Sequence, residues 1–201
     1  MHPRNRMAGL VAALCLAGCV APQGPVEVTR FVAADRADAL GAGSVFVASA
    51  PGANADSLEL APYKAAVAEE LTRLGYSETD RESAGQVAEI AVERYSKGSD
   101  QRRNPVSVGV GGSTGSYGSG VGVGIGIDLG GGPREELGTR LSVTLRDTAS
   151  GANLWEGRAD VQTPVDSPLA RGRANAQTLA SALFRDFPGN SGETIEVEVT
   201  E

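Results

Sequence analysis

The chain has 201 residues, with 18 basic and 25 acidic side chains and a net charge of −7. An acidic surface repels phosphates, so this composition argues against non-specific binding to nucleic acid. Nine aromatic residues in all provide no evident stacking surface for bases or sugars.

The first 19 residues have the order of a removed targeting peptide. A charged start precedes the apolar run Met7 to Leu16, which ends in Leu16-Ala17-Gly18-Cys19. A membrane-spanning helix needs roughly 20 apolar residues, so this run is too short to cross a bilayer. The pattern resembles a bacterial lipobox, which implies cleavage between Gly18 and Cys19 and attachment of acyl chains, palmitate among them, at Cys19. The alternative is an ordinary secretory signal that happens to contain that cysteine.

Removal of residues 1–18 would take away side chains that commonly act in catalysis or bind metals. Arg4 and Arg6 leave with the leader, so the mature chain keeps 16 basic and 25 acidic residues, for a net charge of −9. His2 and Cys15 leave as well, and Cys19 is alkylated. The commonest general base, the commonest zinc ligands and the histidine-dependent nucleophile systems are then missing. We therefore expect no catalytic residue, no metal and no cofactor.

Residues 19–25 are predicted to form a lipidated N-terminus and tether. The six residues from Val20 to Pro25 reach at most about 20 Å when extended, which would hold the domain close to the bilayer. Two or more acyl chains give stable anchoring. Val20 replaces the aspartate that retains many such proteins in the inner membrane, so the resemblance implies the periplasmic side of the outer membrane of a Gram-negative bacterium.

Residues 26–188 are predicted to form one α+β domain. We expect a single, mainly antiparallel sheet of about six to seven strands, with two helices packed on one of its faces and a glycine-rich hairpin in addition. Alternation of apolar and polar residues predicts the strands, which we place at residues 26–31, 44–48, 87–96, 137–148 and 154–161.

Two amphipathic stretches predict the helices. The first has apolar residues at three- and four-residue spacing from Leu60 to Leu74, with either Ser57 as its N-cap or Pro62 in its first turn, and Gly75 just past its end. The second spans roughly residues 167–187. The acidic segment 189–201 fits either an edge strand or a frayed tail. Trp155, the sole tryptophan, is predicted to be a packing anchor.

Residues 105–133 contain 12 glycines in 29 positions. Val and Ile alternate with Gly and Ser in two runs, which predicts two strands joined by a flexible loop. One face would be β-branched and the other nearly bare backbone, and such a backbone allows close approach of a second chain. A loose hairpin covering the core, a disordered loop and a docking surface all remain open. If the hairpin is a docking surface, the candidate partner-binding residues are Gly109, Gly120, Gly122, Gly124 and Gly126.

The order of these features resembles the bacterial lipoproteins that carry domain of unknown function 4136. The matching pieces are Leu74-Gly75-Tyr76, the Gly120 to Gly132 stretch, Asp147 through Gly157 and Phe187-Pro188. The resemblance covers roughly residues 26–188 and implies an α/β domain on a cell-envelope lipoprotein. It implies no activity and no catalytic residues.

Other motifs are weak. The run Gly111 to Gly115 matches Gly-x-Ser-x-Gly, but it lies in a glycine-rich loop and has no histidine partner. The pairs Glu69-Glu70 and Glu135-Glu136 are adjacent residues typical of a solvated surface. We expect a non-enzymatic envelope protein that serves as a protein-binding or structural module. The alternatives are a self-assembling component that pairs its hairpins and a hydrolase that uses carboxylates alone.

Overall fold

A computed structural model of the protein describes residues 24–53, 57–97, 106–113, 120–127 and 135–199. Side chains are described for the same ranges, except for Lys97 and the two glycine-rich strands. The predicted signal peptide, the predicted acylation site Cys19 and most of the predicted tether lie outside the described residues.

The described chain forms one open sheet of seven strands, two helices and a separate two-stranded sheet. The strands are β1 (Val26–Val32), β2 (Gly43–Ser49), β3 (Tyr76–Glu78), β4 (Gln86–Lys97), β5 (Val106–Ser113), β6 (Gly120–Ile127), β7 (Glu136–Asp147), β8 (Asn153–Pro164) and β9 (Thr194–Val197). The seven-stranded sheet has the order β3-β2-β4-β7-β8-β1-β9, and β5 pairs with β6. Only the β2–β3 and β2–β4 pairs of that sheet are parallel. The α+β class with a mainly antiparallel sheet is therefore confirmed.

Both helices pack against the same face of the sheet. They are α1 (Ala61–Arg73) and α2 (Gly172–Phe184). Burial alternates along the long strands β7 and β8, as expected for a sheet with one covered face. The core combines that face with the inner sides of both helices, and its fully buried members include Val28, Tyr63, Ile90, Leu141, Leu145, Trp155, Leu179 and Leu183.

The ends of α1 follow local sequence signals. Leu60 is the N-cap residue and makes no side-chain capping bond, while Pro62 lies in the first turn. The second of the two predicted starts is therefore the one observed. Gly75 has a φ of +103°, a left-handed conformation that glycine adopts at least cost after a helix.

The predicted range of α2 was too long at both ends. Ser167 instead begins a short 3₁₀ turn, Pro168–Ala170, and its hydroxyl accepts a hydrogen bond from the Leu169 amide. At the other end, the buried side chain of Arg30 donates to the carbonyl oxygens of Leu183 at 3.0 Å and Ala182 at 3.2 Å. A cation from β1 thus binds carbonyl oxygens of the last helical turn, of which that of Ala182 also accepts from the Arg185 amide at 3.4 Å.

Trp155 is a packing anchor, as predicted. It is 1% exposed, and its ring centroid lies 5.4 Å from that of Phe184 and 5.2 Å from that of Phe187. Its indole Nε1 donates to the Pro188 carbonyl at 2.9 Å. A Cβ at Gly157 would lie 2.2 Å from the Trp155 ring, so this strand glycine makes room for the indole.

Two edge strands complete the sheet. The acidic segment after Pro188 contributes β9, which pairs antiparallel with β1, so the edge-strand alternative for this segment is correct. The three-residue strand β3 was not predicted. It follows the helix-ending Gly75 directly, and three residues are too few to show an alternating pattern.

Candidate interaction surface

The glycine-rich segment forms an antiparallel hairpin, which confirms the predicted pair of strands. Its register pairs Gly109 with Gly124 and Gly111 with Gly122, while Val108 pairs with Ile125. Successive residues of a strand belong to opposite faces. The hairpin therefore has two unlike faces, which we call the glycine face and the valine face.

The five glycines predicted to bind a partner share the glycine face. Register places Gly120 opposite Ser113 and Gly126 opposite Ser107, in line with the glycine pairs. The members of this face are Ser107, Gly109, Gly111, Ser113, Gly120, Gly122, Gly124 and Gly126. The valine face carries the remaining positions, which are Val106, Val108, Val110, Gly112, Val121, Val123, Ile125 and Ile127.

The hairpin is inserted between two central strands of the main sheet. Lys97, the last residue of β4, pairs with Glu136, the first residue of β7. Glu136 also pairs with Pro164, the last residue of β8. We call this end of the sheet, defined by Lys97, Glu136 and Pro164, the insertion end.

The described N-terminus lies at the same end. β1 runs antiparallel to β8 with Glu27 opposite Asp160, so its first residues lie beside the last residues of β8. Gly24 and Pro25 line one shallow depression together with Glu136 and Pro164. The described residues nearest in sequence to Cys19 and to the hairpin therefore lie at the same end of the sheet.

Two of the three large exposed apolar side chains in the described ranges occur at the insertion end. Val165 is 42% exposed and directly follows Pro164. Leu58 is 89% exposed and precedes Glu59, whose carboxylate binds Arg94 of β4, three residues before Lys97. The third, Phe31, is 43% exposed and lies toward the other end of the sheet, opposite Glu156.

A buried chain of hydrogen bonds connects the two helices near this end. The Tyr63 hydroxyl donates to Asn175 Oδ1 at 2.6 Å and accepts from Arg94 Nη2 at 3.3 Å. Asn175 Nδ2 donates to the Leu169 carbonyl at 2.8 Å. Tyr63 and Asn175 are at most 1% exposed, so these bonds remove the cost of burying their polar atoms.

The face of the sheet opposite the helices carries charged side chains that pair with one another. Arg140 lies 3.0 Å from Asp160 Oδ2 and 3.6 Å from Glu93 Oε2. The Tyr95 hydroxyl donates to Asp160 Oδ1 at 2.6 Å. A Cβ at Gly138 would lie 2.3 Å from the Tyr95 ring, so the ring lies across that glycine.

This cluster holds Tyr95 in its neutral form. Burial is the larger cause and the Asp160 hydrogen bond the next, and together they raise the pKa of Tyr95 to about 12. The neutral Tyr95 hydroxyl donates to Asp160. The Asp160 carboxylate also accepts from Arg140, so it has two partners. The geometry is that of a structural ion-pair network.

The remaining motifs are placed on separate elements. Glu69 and Glu70 both lie near Arg73 on α1, at 4.0 and 2.8 Å. Glu135 and Glu136 stand at the start of β7. Ser113 ends strand β5 opposite Gly120, so this serine of the Gly-x-Ser-x-Gly match lies in a strand and not in the loop we predicted. Strand alternation continues one residue further than the sequence pattern indicated.

Among the side chains that the structure describes, no three potential metal ligands lie together. None of the described helices is both long and apolar enough to span a membrane. Gly18 and Cys19, the predicted cleavage and lipidation residues, lie outside the described residues.

Comparison with known proteins identifies the family. The model of a domain of unknown function, DUF4136, matches residues 34–189. The chain belongs to this family. The resemblance predicted from motif order is thereby confirmed for most of the domain. No curated protein matches the chain in a sequence search.

Solved structures show only distant likeness. A PDZ domain protein from Parabacteroides distasonis is 11% identical with a TM-score of 0.48, and the match covers 87% of this chain but 39% of that one. Two structures of the PelC dodecamer from Paraburkholderia phytofirmans are 17% and 14% identical. Each has a TM-score of 0.40, and each match covers 79% of this chain and 92% or 93% of PelC. Likeness at this level carries no inference for the DUF4136 chain.

Proposed function

We propose that this DUF4136 protein is a lipid-anchored component of the bacterial cell envelope that acts by binding another protein rather than by catalysis. The proposed anchor is Cys19, and the proposed contact is the glycine face of the hairpin. The observation that carries the proposal is the register of β5 and β6, which places six glycines, the five predicted ones and Gly111, on one face.

The anchor is supported by the sequence Leu16-Ala17-Gly18-Cys19 after a short apolar run. Acyl chains on Cys19 would hold the protein on a bilayer without a spanning segment. Val20 favours the periplasmic leaflet of the outer membrane. Substitution Cys19→Ser should move the protein from the membrane fraction to the soluble fraction, and Cys15→Ser should leave it in the membrane fraction.

A glycine face suits contact with another main chain or a flat protein surface. Without Cβ atoms, the backbone of a partner can approach closely, and glycine within a strand otherwise weakens the strand. A two-stranded hairpin is marginally stable by itself and gains from an added surface. The partner we propose is therefore an envelope protein that presents a strand or a flat surface.

Site-specific photocrosslinking in intact cells tests this contact. A photoreactive amino acid in place of Gly124 should give an adduct of discrete mass, and the same amino acid in place of Ile125, on the valine face, should not. Loss of the adduct in a Gly122→Val background would tie it to the glycine face. Identical adducts at both positions, or none at position 124, would contradict the proposal.

Self-assembly is the second candidate. The free edges of β5 and β6 offer unpaired backbone groups that another hairpin could use, and residues 105–127 contain no charge to oppose such pairing. In the same experiment, a self-assembling protein would give an adduct at twice the mass of the chain. An adduct of any other mass would favour a different partner.

A further inference from the structure

The valine face is the second candidate contact surface of the hairpin, on the side opposite the glycine face. We propose that the valine face lies on the surface of the lipid bilayer and forms a second membrane contact beside the lipid anchor. This inference rests on the proposed lipidation of Cys19.

The first argument is position. The hairpin leaves the domain between Lys97 and Glu136, and Gly24 and Pro25 lie against Glu136 and Pro164 at the same end of the sheet. A tether of residues 20–25 would reach at most about 20 Å from the bilayer. The hairpin is joined to the sheet by eight residues before β5, 98–105, and by seven after β6, 128–134. Both connections are at least as long as the six-residue tether.

The second argument is chemistry. The stretch from residue 105 to residue 127 has no charged side chain, although 21% of the whole chain is charged. Seven of the eight positions on the valine face are Val or Ile. A continuous apolar surface of this kind marks a site of protein or membrane contact.

The third argument is independent of the hairpin. Leu58 and Val165 expose apolar side chains at the insertion end, 89% and 42% of their surfaces being accessible. Single exposed apolar residues are common on protein surfaces. Here, however, two of the three in the described ranges lie at the end from which the anchor segment departs, where a bilayer would meet them.

Backbone chemistry sets the depth of the contact. Each strand of the hairpin has one edge whose N–H and C=O groups have no partner in the two-stranded sheet, and such groups are costly in hydrocarbon. A single hairpin should therefore lie flat at the interface, where water and headgroups can bond its edges. The valine face then contacts the acyl chains, and the glycine face remains open to the periplasm for a protein partner.

The net charge predicts which lipids favour the contact. The insertion end has both signs of charge, with Lys97 opposite Glu136, but the mature chain as a whole would carry a charge of −9. Anionic headgroups would repel a chain of this net charge. Contact should therefore be at least as strong on vesicles of phosphatidylcholine as on vesicles that contain phosphatidylglycerol.

Tryptophan quenching by brominated lipid tests the proposal on the full lipidated protein, reconstituted on phosphatidylcholine vesicles. Val123→Trp places a probe on the valine face and Gly124→Trp places one on the glycine face, one residue away. Trp155 is buried and supplies the same background in both variants. We expect several-fold stronger quenching for Val123→Trp than for Gly124→Trp.

Three results would overturn the inference, and they are distinguishable. If the lipidated protein floats with the vesicles but neither probe is quenched, the anchor stands and the hairpin contact is wrong. If both probes are protected and crosslinking gives multimers, the hairpins pair with one another instead. If mass spectrometry shows no acylation, the proposed function has failed and this inference fails with it. The Ile125→Trp variant repeats the test where Val123→Trp does not fold.

Discussion

In both the seven-stranded sheet and the glycine-rich hairpin, apolar residues alternate along the strands with residues of another kind. The two regions differ in which residues form the face opposite the apolar one. In the sheet, buried residues alternate with charged ones, and the charges pair, as Arg140 does with Asp160 and Arg146 with Glu89 at 3.3 Å. In the hairpin, Val and Ile alternate with Gly and Ser. The sheet has a core on one side and a solvated surface on the other.

The difference determines whether each region is stable by its own packing or depends on contact with another surface. Two helices cover the apolar face of the sheet, so the domain can be stable by its own packing. In the described strands of the hairpin, neither face carries a charged residue. Its stability should therefore depend on what covers it, and the following experiments separate the two regions.

The largest effect should come from the core beside the sheet. Trp155→Ala removes a buried indole that contacts Phe184 and Phe187, and we expect a loss of about 3–5 kcal/mol in the free energy of unfolding. Urea denaturation followed by circular dichroism measures it. Val108→Ala, on the valine face, should cost less than about 0.5 kcal/mol in the absence of lipid. A cost for Val108→Ala as large as that of a core substitution would contradict the separation of the two regions.

The next effect concerns the buried cation of the sheet. Arg30→Met keeps most of the side-chain volume but removes the donor to the Leu183 carbonyl and one of the two donors to the Ala182 carbonyl. We expect a loss of about 1.5–3 kcal/mol, the usual range for hydrogen bonds to charged groups. Arg158→Met, on the exposed face of β8, is the matched control and should change stability by less than about 0.5 kcal/mol. Equal effects of the two would show that Arg30 does not cap α2.

A smaller loss should follow from breaking the hydrogen-bond chain between the helices. Tyr63→Phe leaves the buried Asn175 oxygen unpaired, and we expect a cost of about 1–3 kcal/mol in thermal unfolding. The double substitution Tyr63→Phe with Asn175→Leu should cost less than the sum of the two single substitutions, because the bond between these two side chains is lost in each of them. A double variant less stable than the sum of the two single variants would contradict the role assigned to this pair.

The smallest effect on stability at neutral pH should come from Tyr95 on the exposed face of the sheet, because its contribution changes with pH only in the alkaline range. The pKa of Tyr95 is raised to about 12 from a usual value near 10, so the folded protein holds this proton more tightly than the unfolded chain. The stabilisation is present below pH 10 and is lost as the pH rises from about 10 to 12. Tyr95→Phe should flatten the fall in stability over that interval, measured by urea denaturation. Asp160→Asn should lower the pKa of Tyr95 in an ultraviolet titration, and an unchanged pKa would exclude Asp160 as a cause of the raised value and leave burial alone.

Most of the fold could be predicted because its signals are local. Alternation located the long strands β4, β7 and β8, and Gly75 marked the end of α1 through its left-handed conformation. The limits of α2 could not be predicted in the same way. Its end depends on Arg30, which is distant in sequence and looks like an ordinary strand residue until its partners are seen.

The candidate surface could be predicted only in part. The repeat of Gly and Val predicted two unlike faces, and register confirms which glycines share one face. The common origin of the N-terminal segment and the hairpin could not be predicted, because it follows from strand order. The glycines in the main strands did hold a signal that sequence reasoning missed, since Gly138 and Gly157 mark the places where Tyr95 and Trp155 lie across the backbone.

The claim on which the account depends is the acylation of Cys19, and intact-mass spectrometry of the protein purified from membranes of its native host tests it most directly. The account predicts a chain that begins at residue 19 and carries the added mass of a diacylglycerol thioether and an amide-linked acyl group. A chain that retains residues 1–18, or one that begins at residue 19 with an unmodified cysteine, would contradict it.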